Sequence, residues 1–242
     1  MAKTLESLKK KIEEGFLQTV KDVFGTNLLS VMAYGSYAGG DFVPGVSDVN
    51  LLIVLEKPDT QQIRLLGKRT RTPMKKLRIT PLIMTRTEFI NSADVFPMEY
   101  LDISEKNRVL FGTDETEALS ISKNNLRHEI EERLRGNINS IRQMIIAAGA
   151  RTRIEAGALK GFFGPLKALF TALLRLKGKK ETPREGTELV KSVADEFGID
   201  TSALERLLEL RGGKKHDPAR LAVDVLATLE DLARIIDTMN VK

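Results

Sequence analysis

The chain has 242 residues, 42% of them hydrophobic and 29% charged, which are ordinary values for a folded protein and exclude a disordered or low-complexity chain. The absence of cysteine excludes disulfides, thiolate metal sites and a cysteine nucleophile, and it favours a cytoplasmic location. The net charge of +5 is mild, and no apolar stretch approaches the length of a membrane span, so we expect no membrane partner.

An opening helix and two strands are predicted near the N-terminus. Apolar residues recur at helical spacing over residues 5–24, and Gly25 follows where such a helix would end. Residues 28–33 form a short apolar run, and Val49–Leu55 is a second run, rich in branched residues. Runs of this length are typical of buried strands, so the two predicted strands flank the glycine-rich loop between them.

A further helix and three more strands are predicted in the rest of the first half. Residues 59–73 have helical character up to Pro73, and residues 77–85 return to strand-like composition. Pro81 lies in this strand and indicates an edge or a bulge, because proline cannot donate to the ladder. Residues 96–103 and 108–112 have the composition of further short strands. These elements predict an α+β domain over residues 1–115, with a mixed sheet and flanking helices.

A cluster of basic residues accompanies the predicted helix at 59–73 and the turn after it. No acidic residue interrupts the cluster, and a solvated helix face is its ordinary explanation. The cluster consists of Arg64, Lys68, Arg69, Arg71, Lys75, Lys76 and Arg78.

Residues from about 122 onward have the helical period almost throughout. One apolar stripe, which ends near Gly149, contains Leu126, Ile130, Leu134, Ile138, Ile141 and Ile145. We expect four further helices, with a capping box from Thr182 to Glu185 at one of them and Asp217 as the N-cap of the last. The second half is therefore predicted to be an all-α helical bundle over residues 116–242.

The candidate chemistry lies between the two N-terminal strands. Gly35 and Ser36 follow the first strand, and a turn of this kind lets main-chain N–H groups and a hydroxyl approach a phosphate. Ser47 and Asp48 precede the second strand, in which Asn50 is the second residue. Alternate side chains of a strand share a face, so Asp48 and Asn50 are expected to point the same way, toward the Gly-Ser turn. A nucleotide would fit between them.

At these residues the sequence resembles the nucleotidyltransferase superfamily, the polymerase-β-like fold that includes kanamycin nucleotidyltransferase. The resemblance covers residues 28–55 and extends loosely to 96–112, and the second half is similar in type to HEPN-like helical bundles. It implies that Gly35, Ser36 and Ser47 bind a nucleoside triphosphate. It also implies that Asp48, the residue at position 50 and a third carboxylate on a later strand hold two Mg²⁺ ions. These ions bind the triphosphate and activate an acceptor hydroxyl for attack on the α-phosphorus.

The sequence departs from the family pattern at three points. The second position of the Asp-x-Asp pair is Asn50, which has an amide oxygen but no charge, whereas Mg²⁺ prefers anionic oxygen. A third carboxylate is missing from the strand at 77–85, so Glu99 or Asp102 is the candidate, and the two point to opposite faces if 96–103 is a strand. The position of Gly39 often holds arginine in the family.

Two functions of different classes follow from these residues. The first is transfer of a nucleoside monophosphate from Mg²⁺-nucleoside triphosphate to an unknown acceptor, which is a small molecule, a protein or a nucleic acid. In the second, the metal site has decayed, and the chain is a nucleotide-binding or protein-interaction module. The helical domain would then form a homodimer or dock another partner. Asn50 favours the second function, and the intact Gly-Ser turn with Ser47 and Asp48 favours retained nucleotide binding.

Overall fold

The chain divides into two structural units, with the division between Ile121 and Ser122. The computed structural model describes residues 2–40, 42–149 and 151–241, without the side chains of residues 2–4. The first unit combines a four-stranded sheet with helices, and the second is helical, which confirms the predicted fold class. In the described residues, no helix is both long and apolar enough to cross a membrane.

The sheet of the N-terminal unit is mixed and has the strand order β3-β2-β1-β4. Strand β1 is antiparallel to both β2 and β4, whereas β2 and β3 are parallel. Pro81 lies in β3 at the sheet edge, as predicted, because an edge strand has one side that needs no donor. The strands are β1 (Leu28–Tyr34), β2 (Val49–Leu55), β3 (Ile79–Thr85) and β4 (Asn107–Gly112).

Helices cover both faces of this sheet. One face packs against the N-terminal helices and the fourth helix, and alternate residues such as Val31 and Leu51 belong to that core. Met32 and Leu52, one position further along, belong to the core of the other face, which includes Phe89. The helices are α1 (Ala2–Lys10), a π-helical turn (Lys11–Phe16), α2 (Leu17–Phe24), α3 (Ser36–Gly39), α4 (Thr60–Leu77), α5 (Arg86–Asn91) and α6 (Pro97–Glu105).

The segment at 96–103, predicted as a strand, is helical instead and forms α6. Its first residue is Pro97, a position at which proline costs no hydrogen bond and presets the helical φ. Pro97, Tyr100 and Ile103 are buried at a spacing of three residues, and the Tyr100 ring stacks on Phe89 with centroids 4.9 Å apart. This one-sided burial stabilises a helix on the sheet face, which composition alone did not indicate.

Helix α4 also differs from the prediction, because it continues through Pro73 and ends at Leu77. The proline removes one backbone hydrogen bond, but Met74 and Leu77 beyond it pack against the core and hold the last turn in place. Arg78 caps this helix in the left-handed conformation, with φ 54°.

The second unit contains five helices within the described residues, as predicted. Helix α7 packs against α8 and α11, and its apolar stripe is buried from Leu126 to Ile141. Asp217 is the N-cap of the last helix, as predicted, whereas the capping box predicted from Thr182 is wrong. The helix there begins at Gly186, and Glu185 is its N-cap. The helices are α7 (Lys123–Ala148), α8 (Thr152–Leu176), α9 (Gly186–Phe197), α10 (Ser202–Arg211) and α11 (Pro218–Thr238).

Candidate functional site

A row of polar residues crosses one face of the sheet. Tyr34 is paired with Asn50 on β2 and with Asn107 on β4, and Asn50 is in turn paired with Thr80 on β3. Residues directly opposite one another in a sheet have their side chains on the same face. Strand register therefore brings four polar side chains from four separate strands into one line, beside the end of β1 and the start of β2.

The Gly-Ser turn lies directly beside this row. Gly35 has φ 67° and ψ −143°, a conformation that glycine adopts readily and other residues rarely do. Its carbonyl oxygen accepts hydrogen bonds from the N–H groups of Ala38 and Gly39, at 3.1 and 2.9 Å. A Cβ atom at Gly35 would lie 3.4 Å from Nδ2 of Asn50. The structure thus brings together Gly35, Ser36 and Asn50, three of the predicted site residues.

Asp48 forms an ion pair that the sequence analysis did not anticipate. Its Oδ1 lies 2.9 Å from Nη2 of Arg78, and each side chain is about half exposed. The Arg78 carbonyl also accepts the Val49 N–H at 2.8 Å, so the backbone fixes this residue next to the start of β2. Among the described residues, Arg78 is the only non-glycine residue with positive φ, and strained backbone of this kind concentrates at functional sites.

Arg78 was predicted to belong to a solvated basic helix face. The seven basic side chains of that cluster are indeed exposed, but Arg78 lies one residue beyond α4 and contacts Asp48. Its position just before β3 was the available signal, because β3 runs parallel to β2 and its start lies beside Val49. The charge of Asp48 is therefore compensated within the protein.

Glu99 and Asp102 lie on α6, on the side of the sheet where the polar row is found. The pKa of Tyr34 is raised to about 12, mainly by burial and further by the negative charges of Glu99 and Asp102. Both carboxylates are thus within electrostatic reach of the Tyr34 hydroxyl. The prediction that they point to opposite faces of a strand is wrong, because residues three apart on a helix are neighbours on its surface.

Lys106, at the end of α6, is a second cation that the sequence analysis missed. Its carbonyl oxygen accepts the N–H of Gly35 at 3.1 Å, and its Nζ lies 3.9 Å from Asp102. A Cβ atom at Gly39 would lie only 3.2 Å from Cδ of Lys106. The lysine stem therefore fills the space beside Gly39, where the family often has arginine. Lys106 thus places a positive charge next to the Gly-Ser turn from another element.

Ser47 has a structural contact in the loop before β2. Its hydroxyl oxygen accepts the N–H of Val43 at 3.1 Å, and its own N–H donates to the Val43 carbonyl at 2.9 Å. These bonds hold the loop that leads to Asp48. The hydroxyl of Ser47 can still donate its hydrogen to another group.

The residues of this site do not fit a protein-held centre of two metal ions. The described residues include no group of three histidine, cysteine, aspartate or glutamate side chains placed to hold a metal ion. At the start of β2 there is one carboxylate, Asp48, already paired with Arg78, and one carboxamide, Asn50. Asp48 and the amide oxygen of Asn50 are nevertheless sufficient for one Mg²⁺ whose other ligands are substrate phosphates and water.

The fold and this sheet edge define a domain of the nucleotidyltransferase type. Residues 10–110 match the family model described as nucleotidyltransferase domain, and this part of the chain belongs to the nucleotidyltransferase superfamily. The matched region contains the Gly-Ser turn, Asp48, Asn50, Arg78 and Lys106. The class of reaction for which this domain family is named is nucleotidyl transfer.

Among solved structures, the chain is similar to spectinomycin adenyltransferase AAD(9) from Enterococcus faecialis, solved with ATP and spectinomycin. The two chains are 15% identical with a TM-score of 0.51, and the match covers 93% of this chain and 98% of that chain. At this identity the likeness shows a shared fold. A comparison with curated proteins finds no significant match.

Proposed function

We propose that the N-terminal unit binds a nucleoside triphosphate at the Gly-Ser turn and transfers its nucleoside monophosphate to an acceptor hydroxyl. The acceptor oxygen would form a bond to the α-phosphorus as the bond from that phosphorus to the α,β-bridging oxygen breaks. Pyrophosphate would leave, and the hydroxyl proton would pass to water. The observation that carries this proposal is the juxtaposition of the Gly35 turn with Asn50, two residues after Asp48, within a nucleotidyltransferase domain. The ATP named for the adenyltransferase of the same fold supports a nucleotide substrate.

The charges of the site support binding of the triphosphate. Lys106 lies beside the turn, and Arg78 lies beside Asp48, so two cations flank the space where the phosphates would lie. The Tyr34 hydroxyl is protonated at neutral pH, as any tyrosine is, and can donate a hydrogen bond. Burial and two nearby carboxylates raise its pKa further, to about 12. Lys106, Arg78 and Tyr34 can therefore each donate a hydrogen bond to an anionic phosphate oxygen.

A divalent ion fits this proposal only as a partner of the nucleotide. Asp48 and the amide oxygen of Asn50 would hold one Mg²⁺ together with phosphate oxygens. Such an ion would supply positive charge to the phosphates. Arg78, whose Nη2 lies 2.9 Å from Asp48, is a second cation at this position that can bind a phosphate oxygen.

The acceptor is proposed only by class. The helical unit is rich in lysine and arginine, which disfavours a polycationic acceptor and favours a neutral or anionic one, such as a nucleic acid or a protein. A homodimer formed through the helical unit stays a prediction.

The experiment is a labelling assay with each of the four nucleoside triphosphates, labelled at the α-phosphorus. Acceptors are offered as three separate classes: pooled RNA, a protein extract, and small hydroxyl compounds that include spectinomycin. Wild-type protein should label one class, and Asp48→Ala should abolish that label. Asp94→Ala, which removes an exposed carboxylate from the same unit, should leave it unchanged. Failure of the wild type to bind any triphosphate would contradict the proposal.

A second candidate function is nucleotide binding without transfer. The ion pair between Asp48 and Arg78 favours it, as does the uncharged Asn50, because both weaken the hold on a metal ion. Triphosphate binding by the wild type without label on any acceptor class would support this candidate over the first.

A further inference from the structure

A separate pocket lies next to Arg78, on the side of the sheet edge that faces α1. It has a volume of about 220 Å³ and lies between α1, the loop before β2 and the end of α4. Leu8, Phe42 and Leu77 line it and also pack against the core of the N-terminal unit. The polar lining residues come from the same three segments and are Ser7, Lys11, Ser47, Lys76 and Arg78.

The charges around this pocket are of one sign. Lys11, Lys76 and Arg78 are its three charged lining residues, and no carboxylate is among the described residues that line it. Neither lysine forms an ion pair with any residue in the described part of the chain, whereas nearby Lys10 is paired with Glu14 at 3.7 Å. Arg78 is paired with Asp48, so Lys11 and Lys76 are the two lining cations without a carboxylate partner, and an anion in the pocket would compensate their charge.

Hydroxyl groups add directional contacts to these charges. Ser47 accepts a hydrogen bond from the Val43 N–H, which leaves its hydroxyl hydrogen for a ligand in the pocket. Gly45 has φ 82° and forms part of the tight turn that brings Ser47 to the pocket wall.

We propose that this pocket is a binding subsite for a phosphate or pyrophosphate group. Lys11 and Lys76 bind the group directly, and Ser47 donates a hydrogen bond to it. Arg78 connects the subsite to Asp48, because the same side chain lines the pocket and forms the ion pair. The group comes either from the terminal phosphates of the nucleotide or from a phosphate on the acceptor. Binding of the group alone does not depend on the proposed transfer reaction.

The test is calorimetric titration of the full chain with inorganic pyrophosphate, in wild-type protein and in two double variants. Lys11→Ala with Lys76→Ala removes both unpaired cations of the lining. Lys9→Ala with Lys75→Ala removes the same charge from exposed lysines close to these two in sequence, outside the pocket. We expect the first pair to weaken binding by about tenfold per lysine, and the second pair to change it little.

Three outcomes decide the proposal. Weaker pyrophosphate binding in the Lys11 and Lys76 double variant, but not in the Lys9 and Lys75 double variant, supports the subsite. Equal weakening in both double variants, or no pyrophosphate binding by the wild type, overturns it, and neither result bears on whether labelled nucleotide is transferred.

The source of the phosphate is resolved by repeating the titration in saturating ATP. If ATP prevents pyrophosphate binding, and the first double variant weakens ATP but not AMP, the subsite holds the terminal phosphates of the nucleotide. If pyrophosphate still binds beside ATP, the subsite serves a phosphorylated acceptor. If the wild type labels no acceptor, but binds pyrophosphate in a way that only the Lys11 and Lys76 double variant weakens, the subsite proposal stands and the proposed transfer function is wrong.

Discussion

The two units of the chain place their polar residues in different ways. In the helical unit, α7 buries one stripe that includes Leu134 and Ile138, and most of its charged residues lie outside that stripe. In the N-terminal unit, the strands bury residues on both faces, yet Tyr34, Asn50 and Thr80 form a polar row at one end of the sheet. The row depends on pairing between strands that are distant in sequence. The apolar period of a single segment therefore predicts the structure of the helical unit well, and that of the N-terminal unit only in part.

The treatment of charge differs between the units as well. Helices α7 and α11 pair many of their charges, for example Arg133 with Glu129 and Arg142 with Glu230, both at 2.7 Å. The N-terminal unit leaves Lys11 and Lys76 without ion pairs among the described residues, close to the ion pair of Asp48 and Arg78. Because Lys11 and Lys76 line one pocket, they are available to a ligand there.

The largest effect is expected from a glycine at the end of the sheet. Gly112 has φ 79°, and a Cβ atom there would lie 1.9 Å from the backbone oxygen of Leu29. Because this neighbour is backbone, Gly112→Ala should cost more than about 3 kcal/mol of unfolding free energy. Urea denaturation followed by circular dichroism measures the cost.

The matched control for this change is a glycine in the helical unit. A Cβ atom at Gly136, within α7, would meet nothing within 4 Å. Gly136→Ala should therefore stabilise its helix by about 0.5–1 kcal/mol. If Gly112→Ala left the denaturation midpoint unchanged, the described packing of β4 against β1 would be wrong.

A smaller effect on stability is expected from the ion pair that ties α5 to the turn after β4. Glu115 is 5% exposed and accepts two hydrogen bonds from Arg86, at 2.8 and 2.6 Å. Glu115→Ala should cost about 2 kcal/mol, because hydrogen bonds between charged groups are lost. Glu117→Ala removes an exposed carboxylate nearby and should cost little.

The pH dependence of that difference follows from the pKa of Glu115. Hydrogen bonds from Arg86, followed by the one from Thr113, hold this pKa below its ordinary value of 4.5. A carboxyl with a lowered folded-state pKa stabilises the fold fully above its unfolded value, and that stability is lost as pH falls through the folded value. The difference in unfolding free energy between Glu115→Ala and Glu117→Ala should therefore be constant near neutral pH, and it should shrink as the pH falls below about 4.5. A gap that widens in acid would contradict this account.

The smallest of these effects concerns ligand affinity. Lys106 places its charge beside the Gly-Ser turn, so Lys106→Ala should weaken ATP binding by about tenfold without lowering the denaturation midpoint. Lys57→Ala, an exposed lysine after β2, should leave ATP affinity unchanged in the same titration. Equal affinity in both variants would remove Lys106 from the candidate site.

Much of the fold followed from sequence patterns, and the exceptions have physical causes. The five helices after Ser122 were predicted from their helical apolar period, and strands β1 to β4 were predicted from short apolar runs and strand-like composition. Residues 96–103 were predicted wrongly, because a short segment with scattered apolar residues has no clear period. Its helical form depends on stacking of Tyr100 upon Phe89, a contact between separate segments.

The candidate site was predictable only where its residues are close in sequence. The Gly-Ser turn and the Asp-x-Asn pair belong to one local motif, and the structure places Gly35 beside Asn50. Arg78 and Lys106 reach the site from the starts of other strands, through strand order and register. No spacing within one segment contains that information.

The most direct test of the site is the Mg²⁺ dependence of ATP binding in Asn50→Asp. A carboxylate at position 50 would add a charged ligand two residues from Asp48 and beside Gly35. We predict that this variant binds ATP at least about tenfold more tightly with Mg²⁺ than the wild type does. Asn91→Asp, the same change at the exposed last residue of α5, should bind ATP as the wild type does. If Asn50→Asp also matched the wild type with and without Mg²⁺, the triphosphate would not lie at this edge of the sheet.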